Sequence, residues 1–259
     1  MSTEPKQIQR MPLNQRAQHW ILIITFSLLV LTGLPNLLDP HIPLLHSVLS
    51  REDVFWFRGL LHRIAGVGII LLGFYHLLYI IFSEQGNRDF KALMLGLKDA
   101  RDAAGTLTYQ MGLPKALQRT GWGRWIQRTW SAWLPLTHPR YGRYTFIEKF
   151  EYLGVAWGTI LMAVTGLMLW FEEATMALVP LYVFDFVRVV HSYEAILAFA
   201  TIIIWHMYQV HFRPGQFPMN RSWLDGNISI EEMKEEHPLE YEALLGAADG
   251  QPLPGAPPT

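Results

Sequence analysis

The chain has 259 residues, 51% of them hydrophobic and 13% aromatic, with a formal net charge of −1 and no cysteine. The missing thiols exclude disulfides, iron–sulfur clusters held by this chain, thiol catalysis and any prosthetic group attached through cysteine. The balanced charge gives no reason to expect a nucleic-acid partner, and the gathering of apolar residues into long blocks points to a membrane protein.

Four blocks approach or reach the roughly 20 residues needed to cross a hydrocarbon core of about 30 Å. They are residues 17–38, 58–82, 150–171 and 187–211. Sustained apolarity without period-two alternation makes them helices, since an isolated strand in lipid leaves its backbone groups unpaired. The expected fold is all-α: an integral membrane four-helix bundle over 17–211, with residues 1–16 before it and a tail over 212–259. The first block lacks a small-residue cleavage site and is longer than a signal-peptide core, so it is read as retained. It ends at "TGLPN", where Gly33 and Pro35 stop a helix. The connection 39–57 carries only Arg51 as a formal cation, whereas 83–146 carries Arg88, Lys91, Lys98, Arg101, Lys115, Arg119, Arg124, Arg128, Arg140 and Arg143. The third connection, near "FEEATMALVPLYVFD", is acidic. The positive-inside rule therefore places both termini and the long basic loop in the cytoplasm, and Lys6, Arg10 and Arg16 agree with it.

Within the loop, "DFKALMLGLKDARDAAG" has helical spacing, and "GWGRWIQRTWSAWLP" interleaves tryptophan with arginine as a helix in the membrane interface does. A basic aromatic run can also contact nucleic acid, but beside a membrane span the interfacial reading is preferred. The acidic tail ends in "QPLPGAPPT", a composition expected to be disordered.

The second and fourth blocks carry histidine pairs, His62 with His76 and His191 with His206. At about 100° per residue, separations of 14 and 15 return a side chain to within about 40° and 60° of its starting direction, so each pair shares a face. The same separations rise about 21–23 Å, putting one histidine near each membrane surface. His62 then lies level with His191 and His76 with His206, an arrangement that can supply axial ligands to two stacked haems. Gly66 and Gly73 share the stripe of His62 and His76, leaving backbone bare where a flat macrocycle would lie, and Ala195 and Ala198 do the same on the fourth block. Small residues also serve plain helix packing, and a lone buried histidine can be a packing or proton-path residue. His19, at the start of the first block, competes with His76 for the second position opposite His206. Depth and facing favour His76. His211 is read as interfacial, and His41, His46, His138 and His237 as loop residues.

The stretches "RAQHWILIITFSLLVLTGL", "LHRIAGV", "RYTFIEKFEYLGVAWGTILMAVTGLMLW" and "VVHSYEAILAFATIIIWHMY" resemble the prokaryotic membrane cytochrome b family that contains the formate dehydrogenase gamma subunit, the nickel–iron hydrogenase cytochrome b and the thiosulfate reductase cytochrome b. The resemblance implies a four-helix protein of the bacterial or archaeal cytoplasmic (inner) membrane. It also implies two b haems exchanging electrons with a quinone such as menaquinone. In the gamma-subunit pattern the ligands are His62 with His191 and His19 with His206. His76 departs from that pattern and resembles the paired histidines of quinol-oxidising bc complexes, which leaves a third haem open.

These readings describe an electron-transfer subunit of a respiratory oxidoreductase complex, quinone-reactive but with no catalytic residue of its own for oxidising formate or hydrogen. Its expected partner is a periplasmic or membrane redox subunit, a multihaem c-type cytochrome or an iron–sulfur protein. Arg63 and Arg188 are candidates for pairing with haem propionates, and Arg16, His19, Glu148 and Glu151 for a quinone site on the cytoplasmic side. Glu194 reads as a proton relay or a satisfied buried acid. The alternatives are a haem-free anchor, a proton-conducting protein, and a haem-containing reductase that uses no quinone.

Overall fold

The computed structural model describes residues 7–38, 42–110, 122, 125, 129, 139–213 and 216–248. Among these, four helices are long and apolar enough to cross a membrane: Leu13–Leu38, Glu52–Phe82, Phe146–Trp170 and Leu181–Phe212. Each begins before the apolar block that signals it, because charged or polar residues such as Arg16, Asp53, Glu148 and Asp185 are helical in its first turns. Asn14, Gln15 and Arg16 open the first span, and Glu52 and Asp53 open the second, where carboxylates meet the positive end of the helix dipole. The third opens on a reciprocal capping box. The Thr145 N–H donates to Glu148 Oε2 at 2.7 Å, and the Glu148 N–H donates to Thr145 Oγ1 at 3.2 Å. In the first span the helix Leu13–Gly33 gives way to a short turn of helix at Pro35–Leu38, where proline has no N–H to continue the ladder.

Large apolar side chains point outward along these helices, among them Leu71, Phe82 and Ile204, as expected where lipid is the solvent. What the first three spans bury is small or hydroxylated, Ala65, Thr25, Thr32 and Thr165, whereas the fourth buries Phe184 and Val187 near its start. Each threonine donates its proton to the carbonyl four residues back, Thr25 to Ile21 at 2.8 Å, Thr32 to Leu28 at 2.5 Å and Thr165 to Leu161 at 2.7 Å. That satisfies the hydroxyl donor without water. The fourth span is α-helical over Leu181–Ala200 and then π-wound over Thr201–His206 and Tyr208–Phe212.

The chain divides into two compact units, one of residues 9–83 and 153–227, the other of residues up to 8, 84–152 and 228 onward. The first holds most of the four spans. The second contains the helices Glu84–Leu93, Leu97–Gln110, Ile230–Glu236 and Pro238–Ala248. Parts of the sequence expected to be loop and tail therefore fold together. Arg143 ties the two segments, with Nε 2.6 Å from Asp89 Oδ1 and Nη1 2.8 Å from Glu240 Oε1, while Lys149 reaches Asp99 at 2.8 Å. Arg140 also pairs with Glu242. His237, expected in a loop, is 3% exposed, and its Nδ1 donates to the Gly142 carbonyl at 2.8 Å. Removing the Arg143 guanidinium takes the cation from two carboxylates that are mostly buried. Arg143→Ala is expected to cost about 2–3 kcal/mol, read as a lower melting temperature of the purified protein. The tryptophan–arginine run 121–135, apart from Trp122, Trp125 and Thr129, and the tail from 249 onward lie outside the described residues, as do the features expected there.

Candidate metal centre

The second span carries His62 ten residues after its first residue, Glu52, and the fourth carries His191 ten residues after Leu181. The two imidazoles face each other with ring centroids 6.5 Å apart and an interplanar angle of 70°. Each is met by a threonine from the preceding span. Thr32 Oγ1 lies 2.8 Å from His62 Nδ1, and Thr165 Oγ1 lies 2.9 Å from His191 Nδ1. The residues after those threonines are Gly33 and Gly166. A Cβ at Gly33 would stand 3.0 Å from His62 Cε1, and one at Gly166 would stand 3.1 Å from His191 Cε1.

A second imidazole pair joins the first and fourth spans. His19 and His206 have ring centroids 6.5 Å apart at 62°. The first span starts at Leu13, so His19 sits six residues inside it, about 9 Å from its end, rather than at the edge. On the fourth span the spacing from His191 to His206 is one residue longer than that from His62 to His76. A π turn takes up one extra residue, and Thr201–His206 is π-wound. Trp223 closes over this pair, 6.0 Å from the His19 ring and 5.0 Å from Trp20, and Arg16 Nη1 donates to the Leu224 carbonyl at 2.7 Å. His76 lies beside Tyr79 instead, with ring centroids 6.4 Å apart. Its Nδ1 lies 2.7 Å from Gln18 Oε1, and Gln18 continues to Asn14 at 2.5 Å and Asn14 to Tyr75 at 2.7 Å.

Among the described residues no group of three or more His, Asp or Glu gathers to cage a metal ion. Imidazoles in facing pairs suit an iron whose remaining ligands come from a macrocycle. A metal–imidazole bond of about 2.0–2.1 Å, plus roughly 1.1 Å from that nitrogen to the ring centre, sets two trans ring centres about 6.3 Å apart. Both observed separations match it. The sequence profile of the prokaryotic cytochrome b561 family matches residues 10–216, covering all the histidines just described. The chain belongs to the prokaryotic cytochrome b561 family. It is accordingly a membrane cytochrome that binds haem b and transfers electrons. No curated protein matches the chain.

Other side chains fit a haem as well. Gly66, on the stripe of His62, has nothing within 4 Å of where a Cβ would stand, so that strip of helix is open. Gly73 is nearly as open, with Thr159 Cγ2 at 3.9 Å. Buried donors without a hydrogen-bond partner lie in the vicinity of both pairs: Arg58 Nε near His62, and Arg16 Nε and His19 Nδ1 at the other. Arg58 Nη1 donates to the Thr32 carbonyl at 2.7 Å. Sequence reasoning misses Arg58 because it is the first residue of the apolar block 58–82, where an arginine reads as a span-end anchor. Arg63 stacks on Trp170 at 5.6 Å, and Arg188 is exposed, 3.4 Å from Asp185 and 5.3 Å from the Phe184 ring. Glu194 Oε1 lies 3.1 Å from where a Gly158 Cβ would stand, so that glycine leaves room for the acid between the third and fourth spans. Glu148 is spent on the capping box, and Glu151 has one buried carboxylate oxygen without a hydrogen bond. Both belong to the other compact unit. The threonines at 32 and 165 were also missed. Their signal is the tripeptide Thr-Gly-Leu, which occurs at 32–34 and again at 165–167.

Proposed function

We propose that this cytochrome carries electrons across the cytoplasmic membrane of a bacterium or archaeon through two b haems. In this reading it links a quinone pool, such as menaquinone, to a partner redox subunit of a respiratory complex. The observation that carries it is the pair of histidine couples, each with ring centres 6.5 Å apart, on helices long enough to span a bilayer. His62 with His191 would hold one haem and His19 with His206 the other. Fifteen residues separate His191 from His206 on one helix, so the two sets lie about 21–22 Å apart along it, most of the hydrocarbon thickness. Haem b supplies a one-electron couple when bound. Arg58 offers a buried guanidinium N–H that a propionate carboxylate would satisfy.

The basic loop and both termini lie on the cytoplasmic side. The His19–His206 set is then the cytoplasmic one, and a quinone headgroup binds beside it, where Arg16, His19 and Trp223 gather. Arg16 anchors a carbonyl oxygen of the headgroup through its buried N–H. On the opposite side the His62–His191 set faces the partner, a multihaem c-type cytochrome or an iron–sulfur protein. The purified, haem-loaded protein is expected to hold two haems per chain and to be reduced by quinol in a reaction that quinone-site inhibitors block. One haem per chain, or reduction indifferent to those inhibitors, overturns the reading.

A further inference from the structure

The two Thr-Gly pairs do the same thing at two places. Thr32 and Gly33 on the first span meet His62 on the second; Thr165 and Gly166 on the third meet His191 on the fourth. A threonine hydroxyl has one proton. At Thr32 it goes to the Leu28 carbonyl at 2.5 Å, and at Thr165 to the Leu161 carbonyl at 2.7 Å. What each hydroxyl presents to the imidazole is therefore a lone pair, and the Nδ1–H donates to it. A neutral imidazole protonated at Nδ1 carries its lone pair at Nε2. Both threonines are 5% exposed, so water does not compete for the bond. The glycine that follows leaves bare backbone against Cε1, which lets the ring sit close enough for the hydrogen bond to form.

We propose that Thr32 and Thr165 are positioning residues that hold His62 and His191 in the Nε2-ligating tautomer and bias the haem between them towards its oxidised state. The proposal rests on the reading that His62 and His191 are axial ligands. An acceptor on Nδ1–H makes Nε2 more basic, and a more basic ligand favours the more highly charged iron. The other set lacks this device on one side, since His19 Nδ1 is buried with no hydrogen-bond partner. It serves as an internal control.

The test uses the full, haem-loaded chain and follows each haem by redox titration of the alpha band and by its low-spin ferric EPR signal. Thr32→Val and Thr165→Val keep the side-chain shape and remove the hydroxyl acceptor; the Leu29 backbone, which also hydrogen-bonds His62, remains, so Thr165→Val gives the larger shift. Each is expected to shift one of the two midpoint potentials positive and to move one EPR signal, leaving the other haem unchanged. Thr32→Ser and Thr165→Ser are expected to stay near the unsubstituted values. Valine variants with both potentials and both signals unmoved overturn the proposal, and so do serine variants that shift as far as the valines. Should Thr32→Val fail to accumulate, Thr165→Val reads the same bond at the opposite imidazole. His62→Ala separates the two levels of inference. If it keeps the full haem complement, the ligand assignment fails. If it loses haem while the threonine variants stay at the unsubstituted potentials, the positioning role alone fails.

Discussion

His206→Ala and His19→Ala are each expected to remove the same haem, about half the total, while His76→Ala leaves the haem content unchanged. Trans imidazoles on one metal have ring centres about 6.3 Å apart, and His19 and His206 stand at 6.5 Å. His206 already faces His19, while the ring beside His76 is that of Tyr79, with centroids 6.4 Å apart. Loss of a residue that merely supports a metal ligand lowers affinity by about 10–100-fold, and loss of the ligand itself costs more, so the haem should not survive purification. Haem per protein, measured as the pyridine haemochrome, decides it. Normal haem content in His19→Ala together with a halved content in His76→Ala would move the ligand to position 76. His19→Ala should also leave the His62–His191 haem with its potential unchanged, because the two sets share no side chain.

The four spans were legible because lipid demands long apolar runs, and nothing but a helix satisfies the backbone within them. Their starting residues were not. Asn14, Gln15 and Arg16 are polar yet helical, and starting the first span at residue 17 made His19 look too shallow to meet His206. The periodicity argument treated residues 187–211 as uniform α-helix, whereas Thr201–His206 is π-wound. A π turn depends on how backbone carbonyls are satisfied locally and leaves no mark in hydropathy. The threonines at 32 and 165 escaped for a different reason. A hydropathy profile scores them as weak interruptions, and "TGLPN" was read as the end of a helix. Only their recurrence before Gly-Leu at 165–167 carries the information. The folded association of residues 84–152 with residues beyond 228 rests on ion pairs such as Arg143 with Asp89 and Glu240. Pairing between charges 54 and 97 residues apart has no local sequence signal.

Bare backbone beside the imidazoles leads to the second large effect. Gly33→Val and Gly166→Val are expected to empty the His62–His191 site while leaving the other haem in place. At Gly33 the first added carbon already stands 3.0 Å from His62 Cε1 and 3.5 Å from Nδ1; at Gly166 it stands 3.1 Å from His191 Cε1 and 3.8 Å from Nδ1. Valine adds two more carbons and branches at that point. The ring cannot slide away freely, because its Nδ1 is hydrogen-bonded to the neighbouring threonine. If it tilts instead, a shift of about 1 Å widens the gap between ring centres beyond what two metal–nitrogen bonds of about 2.0–2.1 Å can bridge. Gly66→Val makes the informative contrast. Among the described residues, its own helix backbone aside, nothing lies within 4 Å of its Cβ position, so the haem-free protein should unfold close to the temperature of the unsubstituted chain. Only the macrocycle meets the new side chain, and haem content should fall. A Gly66→Val protein that binds haem normally would place the macrocycle on another face of the second span.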